Sequence, residues 1–256
     1  MKANYHTHTW RCMHASGTEK EYVENAIRAG LEILGFSDHT PYPYPKDYSS
    51  GMRMRTDQLE DYVDTVLALK AEYRQDIEIH LGLEVEYYKD YFPKLQKLVA
   101  DYPIEYFLLA QHHLGCEMYG GWSGMPTDDP ETLRAYRTQT TEAMETGCFT
   151  YFAHPDLLRF IGDEGVYEEE MRILCRRAKN LSIPLEINFL GIHEDRHYPD
   201  ERFWKIAGEE GCEVVFGLDA HDPESFGRPE IARAAEEIVK RNGLLLRDTV
   251  EFRSPV

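Results

Sequence analysis

Apolar, β-branched and aromatic residues recur along the chain in seven short runs, at 3–6, 31–37, 77–85, 106–110, 149–153, 183–187 and 213–218. Runs of this length and composition predict buried strands. Between them, one-sided apolar stripes at helical spacing predict helices over 19–30, 56–75, 91–102, 130–147, 168–182, 200–211 and 229–243. Within 56–75, for example, Tyr62, Val66, Leu69 and Tyr73 fall on one face. Several of these segments end at glycine, the residue that most readily takes left-handed backbone past a helix C-terminus. Strand and helix alternate throughout, which in one sheet requires parallel strands joined by right-handed crossovers with the helices outside. The expected fold is therefore α/β, a distorted seven-stranded TIM-like (β/α)7 barrel, with residues 1–256 as a single barrel domain. The stretch TPYPYPKDYSSGMRMR at 40–55 is too rich in proline to be helical throughout and reads as an ordered loop over one barrel mouth.

Composition narrows the class. With 42% hydrophobic and 29% charged residues the chain is that of a soluble globular protein, and no apolar stretch approaches the roughly 20 residues a membrane helix needs. The start, MKANYHTHTW, lacks the apolar segment of a signal peptide, so a cytoplasmic location is expected. The five cysteines are odd in number and form no CxxC pair, which argues against both a disulfide framework and a thiolate zinc knuckle. Cys12, between His8 and His14, reads as a bystander in its loop. A net charge of -18 repels nucleic-acid backbones and anionic membranes, and no basic cluster breaks that field. Neither extended nucleic acid nor a membrane is an expected partner. A small phosphorylated substrate is compatible, because bound divalent cations invert the local potential.

Five places put metal-ligating side chains at or just beyond the end of an apolar run: His6-Thr7-His8, Asp38-His39, Glu84, His154-Pro155 and Asp219-Ala220-His221. Singly, each has a bland explanation: a capped histidine pair, a helix cap at Asp38, a solvated strand end at Glu84, turns after His154 and Asp219. Their common placement points to one cause, a multinuclear metal site at the C-terminal mouth of a barrel. Strand alternation turns His6 and His8 to the same side. Imidazole and carboxylate without thiolate suit zinc, manganese or iron, and a carboxylate can bridge two ions.

The ordered set HTHTW, SDHTP, GLEVE, QHHLG, AHPD and LDAH resembles the polymerase and histidinol phosphatase (PHP) family of metal-dependent phosphoesterases. LLRF after AHPD, and EIN ahead of a YP segment, are similar to its monofunctional histidinol-phosphatase branch. The resemblance runs from His6 to His221 and implies a distorted seven-stranded barrel holding three divalent ions. His6, His8, Glu84 and Asp219 would hold the first, His14, His39 and His221 the second, and Glu84, His112 and His154 the third. His112 rather than His113 follows the family's spacing from Ala110, which leaves His113 to line the pocket. Glu84, Asp219 and His221 form the implied catalytic set, since a water shared between two such ions deprotonates near neutral pH and attacks phosphorus. Arg159 resembles the family's phosphate-binding arginine, whose planar fork suits a phosphate. Where the family often has a second arginine after EIN, this chain has His193, so His193 or Arg196 is expected to take that contact. His80 and His197 match no motif, and Tyr42, Tyr44 and Tyr48 belong to a packed loop or cover the substrate.

The activity implied is hydrolysis of a small phosphomonoester, L-histidinol phosphate to L-histidinol and phosphate in histidine biosynthesis. Two alternatives stand beside it: a related phosphoesterase acting on another small ester, a nucleotide or a short oligonucleotide, and a metal-binding protein without turnover.

Overall fold

The computed structural model describes residues Met1 to Val256. Eight strands form one sheet in chain order: β1 (Ala3–Asn4), β2 (Ile33–Phe36), β3 (Glu78–Val85), β4 (Tyr106–Leu109), β5 (Phe149–Phe152), β6 (Leu185–Asn188), β7 (Glu213–Gly217) and β8 (Leu245–Leu246). Every pairing is parallel. The helices are α1 (Glu19–Arg28), α2 (Leu59–Glu72), α3 (Phe92–Val99), α4 (Pro130–Glu145), α5 (Glu164–Asn180), α6 (Phe189–His193), α7 (Glu201–Glu210) and α8 (Pro229–Asn242). The TIM-like α/β barrel is thus present, with the two-residue β8 as an eighth strand beside the seven expected. No helix is long and apolar enough to cross a membrane.

The barrel closes unevenly. At the mouth, Thr7 pairs with Ala220, where the His8 amide donates to the Ala220 carbonyl at 2.9 Å. At the opposite end β8 lies along the first residues of β7, Glu213 and Val214. The seam between β1 and β7 is therefore tied at the rim where the candidate ligands emerge.

Capping residues set the helix starts. Thr18 and Glu21 form a reciprocal capping box on α1. Asp163 accepts from the Val166 amide, which starts α5 one turn earlier than its apolar stripe suggests. Outward-facing strand residues such as Leu34, Phe36, Phe107, Phe152 and Ile187 pack against the helices in a cluster of 55 buried residues. Burial of each such side chain contributes about 1.5–3 kcal/mol.

The barrel interior is a smaller cluster, with Tyr5, Tyr106, Leu108, Tyr151 and Val215 among its eight buried members. Tyr106 fits because two strand positions carry no side chain. A Cβ at Gly35 would lie 2.2 Å from its hydroxyl, and one at Gly82 2.3 Å from its ring. That hydroxyl lies 2.8 Å from the Tyr5 carbonyl oxygen and 3.1 Å from that of Phe36. The tail after β8 runs beneath this cluster, with Phe252 stacked on Tyr106 at 4.7 Å.

The proline-rich loop is ordered and packed. Tyr42 is buried against Tyr88, while the Tyr44 and Tyr48 hydroxyls donate to Glu117 at 3.3 and 3.0 Å. Its tyrosines are therefore packed within the protein.

Candidate metal centre

Alternation along β3 points His80, the Gly82 position and Glu84 into the barrel, from floor to mouth. Glu84, 1% exposed, is the hub of the mouth. Its Oε1 lies 2.9 Å from His154 Nε2, 3.2 Å from His6 Nε2 and 3.7 Å from His112 Nε2. Its Oε2 lies 2.9 Å from His39 Nδ1 and 3.6 Å from His8 Nε2. Asp219 Oδ1 stands 3.1 Å from His8 Nε2 and 3.4 Å from both His6 Nε2 and His221 Nδ1. His14, more exposed, stacks its ring 4.7 Å from that of His221 and 5.2 Å from that of His39. Six segments far apart in sequence thus meet at one rim. Two of the converging residues, His154 (φ 32°) and Asp219 (φ 51°), hold left-handed backbone that costs a non-glycine residue energy.

Buried polar atoms are nearly always hydrogen-bonded. Here eleven buried side-chain atoms lack a partner, and seven belong to this cluster: His6 Nε2, His8 Nδ1 and Nε2, His39 Nδ1, Glu84 Oε2, His154 Nδ1 and His221 Nε2. His39 Nδ1 is only 2.9 Å from Glu84 Oε2 but is not aligned as a hydrogen bond. Nitrogen and oxygen atoms that crowd without pairing fit shared cations. Ligand atoms within 4.8 Å of one another include the sets His6/His8/Asp219, His14/His39/His221 and His6/Glu84/His154. Cys12, fully buried, lies within the same range of His8 and His221. Burial pushes its thiol far above its ordinary pKa.

The electrostatics agree. Burial pushes the Glu84 and Asp219 carboxyls up, but the surrounding imidazoles outweigh it and hold both well below the usual range. Burial lowers the pKa of His39 to about 4. For His8, burial pulls down but the neighbouring carboxylates of Asp219, Asp38 and Glu84 prevail, giving about 9. His6 is likewise raised against burial, by Glu186, Asp219 and Glu84. Without cations, protons on these rings offset the buried acids, so cation binding must displace protons.

Two carboxylates orient these rings from within the EIN and GLEVE segments, which show the residues without showing what they touch. His6 Nδ1 lies 2.8 Å from Glu186 Oε2, which turns Nε2 toward Glu84. Asn188 donates to Glu186 Oε1 at 2.7 Å and to Asp219 Oδ2 at 3.1 Å, tying two converging residues together. Glu186 fits only because residue 217 is glycine, where a Cβ would stand 2.1 Å from Oε2. Glu86 likewise holds His112 Nδ1 at 2.9 Å and is itself fixed by Arg53 at 2.8 and 3.0 Å. Such partners set the ring tautomer and orientation. The only sequence signal is that Glu86 follows Glu84, and Asn188 follows Glu186, at the two-residue spacing of one strand face.

Among the other candidates, His113 packs edge-on to Trp122 at 5.3 Å. The Arg196 guanidinium donates to the Tyr198 hydroxyl at 2.6 Å and to Glu194 at 2.8 Å, and the Tyr198 ring is 6.0 Å from that of His154. Arg159 is exposed. Burial lowers the pKa of His197, and the charges of Arg159 and Arg196 add to that shift, so both arginines stand near it. His193 does not join them. It ends the five-residue α6 and lines a groove of about 380 Å³ with Leu31, Leu218 and Ile231. The expected phosphate contact of His193 gains no support from this position in the groove. His80 sits at the floor and His197 lies 2.7 Å from the Leu157 carbonyl oxygen.

Comparison with known proteins defines the class. The PHP domain matches residues 4–188, more than half of the chain, and the chain belongs to the PHP family. It is 28% identical over 258 residues to a protein of Deinococcus radiodurans described as a probable histidinol-phosphatase, covering 97% of this chain and 95% of that one. A histidinol-phosphatase of Lactococcus lactis is 22% identical over 86% of this chain and 84% of its own length. Among solved structures, the histidinol phosphate phosphatase of Lactococcus lactis, complexed with zinc, L-histidinol and phosphate, superposes with a TM-score of 0.76. That match covers 99% of this chain and 98% of the other at 19% identity, and it shows the shared fold.

Proposed function

We propose that this chain is a metal-dependent phosphomonoesterase that hydrolyses L-histidinol phosphate to L-histidinol and phosphate. One observation carries the reading: unpaired buried nitrogens of His6, His8 and His39 crowd Glu84, itself left with an unpaired oxygen, in a PHP-family chain. Its full-length curated relatives are described as histidinol-phosphatases, which supports the substrate.

In this reading His6, His8, Glu84 and Asp219 would hold one ion, His14, His39 and His221 a second, and Glu84, His112 and His154 a third. Divalent ions held there would acidify a water and neutralise charge on the phosphoryl oxygens. The chain supplies the rest. Glu186 and Glu86 fix the His6 and His112 rings with Nε2 facing inward. Ionised Glu84 presents both oxygens to the cluster, completing with Asp219 and His221 the catalytic set. Arg159 and Arg196 grip the phosphate oxygens, and the Tyr198 hydroxyl orients the Arg196 fork. The whole chain acts as one barrel domain. Five free cysteines are consistent with a reducing, cytoplasmic setting, and the charge of -18 disfavours extended nucleic acid.

The test is to assay protein loaded with zinc, manganese or iron on L-histidinol phosphate, a nucleoside monophosphate and a short oligonucleotide, before and after chelation. The expected result is turnover of L-histidinol phosphate that chelation abolishes. A fully metallated chain inert across the panel would support the metal-binding alternative instead.

A further inference from the structure

Two of the three tryptophans are exposed, Trp10 at 47% and Trp122 at 40%, whereas Trp204 is buried. Exposed indoles are costly to leave in water, and both flank the candidate metal centre. Trp10 has one face occupied by the Arg11 guanidinium, 4.8 Å from the ring centroid. Trp122 is different. Its ring lies parallel to that of His112, with centroids 5.5 Å apart and planes 7° from coplanar. Parallel rings in contact are separated by about 3.5–4 Å, so the indole is offset from His112 by about 4 Å and overhangs it.

The overhang is built into the backbone. Residues 113 and 122 form an antiparallel bridge, and the Ser123 amide donates to the His112 carbonyl at 2.7 Å. Gly124 leaves room for the indole, since a Cβ there would stand 2.4 Å from its Nε1. The Arg159 amide donates to the Ser123 carbonyl at 3.0 Å, so the Trp122 segment is pinned beside the arginine assigned to the phosphate.

We propose that the exposed part of the Trp122 ring, the 40% left open beside His112 and the edge-on His113, is the platform that selects phosphate esters carrying a planar, cation-forming ring, as the imidazole of L-histidinol phosphate is. The inference rests on the function proposed above. With the phosphate end held by Arg159 at the cluster, the ring end stacks on the neighbouring indole, whose π-face attracts both aromatic and cationic groups. Trp122 is thus a specificity residue that touches the substrate without touching phosphorus.

The test compares kcat/KM for L-histidinol phosphate with that for glycerol phosphate, which has no ring, in wild-type, Trp122→Ala, Trp122→Leu and Trp122→Phe protein. The expected result is a fall of about tenfold in the selectivity ratio in the Ala and Leu variants, carried by KM, with most of it restored in Trp122→Phe. Leu keeps apolar volume without a π-face, so a purely packing role predicts recovery in Trp122→Leu and would overturn the proposal. An unchanged ratio, or equal losses on both substrates, would overturn it as well. Wild-type protein that hydrolyses glycerol phosphate but not L-histidinol phosphate would instead remove the substrate assignment, and this inference with it.

Discussion

One strand carries two histidine and glutamate groups of opposite character. At the floor of the barrel, His80 Nδ1 lies 2.8 Å from Glu105 and its Nε2 3.0 Å from Glu78, while Phe252 covers the ring edge-on at 4.7 Å. Glu105 also accepts from Lys70 at 2.7 Å and from the Leu81 amide at 3.0 Å. At the mouth, four residues further along the same face, Glu84 faces five imidazoles whose nitrogens are close but largely unpaired. The residue types match. What separates a structural contact from a site is whether every polar atom already has a partner inside the protein.

The sharpest way to break that comparison is to truncate each end. Glu84→Ala removes the carboxylate common to the cluster, and turnover should fall by ~10³-fold or more, beyond the ~10–100-fold typical of groups that only orient ligands. Elemental analysis should find fewer bound ions in the same variant. His80→Ala should keep its ions and its turnover while losing about 1 kcal/mol of stability from the floor hydrogen bonds. A His80→Ala protein that lost metal would erase the distinction between floor and mouth.

Phe252→Ala probes the floor alone. Its ring meets Tyr106, Tyr5 and His80 at 4.7, 5.6 and 4.7 Å. Removing this partly buried ring should cost about 2–3 kcal/mol, below the range for a fully buried phenylalanine, seen as a lower urea midpoint at unchanged metal content. An unaltered midpoint would mean that the tail is not part of the cooperative core.

How far these two ends were legible in the sequence follows from the same physics. The seven main strands are buried on both faces and so appear as continuous apolar runs, and most converging residues stand where those runs stop. β8 escapes notice because Leu245 and Leu246 are two exposed residues, 53% and 39%, without a pattern. The start of α5 is fixed by the Asp163 cap rather than by periodicity. Glu186 was invisible as a partner because an inward carboxylate in a strand looks the same whether it meets water or a ring, and His6 lies 180 positions away. The place of His193 after EIN says nothing about which way a five-residue helix turns its last side chain.

Glu186 also sharpens the comparison from the mouth side, since it is a satisfied group that serves the unsatisfied ones. Glu186→Gln keeps a hydrogen-bond acceptor for His6 but loses the charge, and metal affinity should fall toward the lower end of the ~10–100-fold range, with Glu186→Ala at the upper end. Competition with a chromogenic chelator measures both. Gly217→Ala, which displaces the same carboxylate, should weaken affinity in the same direction while leaving the charge in place. Equal affinity in all four proteins would show that His6 needs no orienting partner.

The smallest effect comes from acidifying the floor. Burial pushes the Glu105 carboxyl up, but hydrogen bonds from His80, Lys70 and the Leu81 amide outweigh it and hold its pKa at about 2. A carboxyl depressed in the folded state stabilises the protein at pH values above its unfolded pKa, and that contribution disappears as pH falls from about 5 toward 2. With the side chain 28% exposed, solvent screening reduces it to about 1–2 kcal/mol. Acid also releases ions from the mouth within this range, so the measurement is a difference: urea midpoints of wild-type and Glu105→Gln protein, both stripped of metal, from about pH 6, above the titration, to about pH 3, well into it. The wild-type advantage should shrink as the pH drops, because Gln cannot titrate. Two curves that stay parallel would place the acid sensitivity of the fold entirely at the mouth.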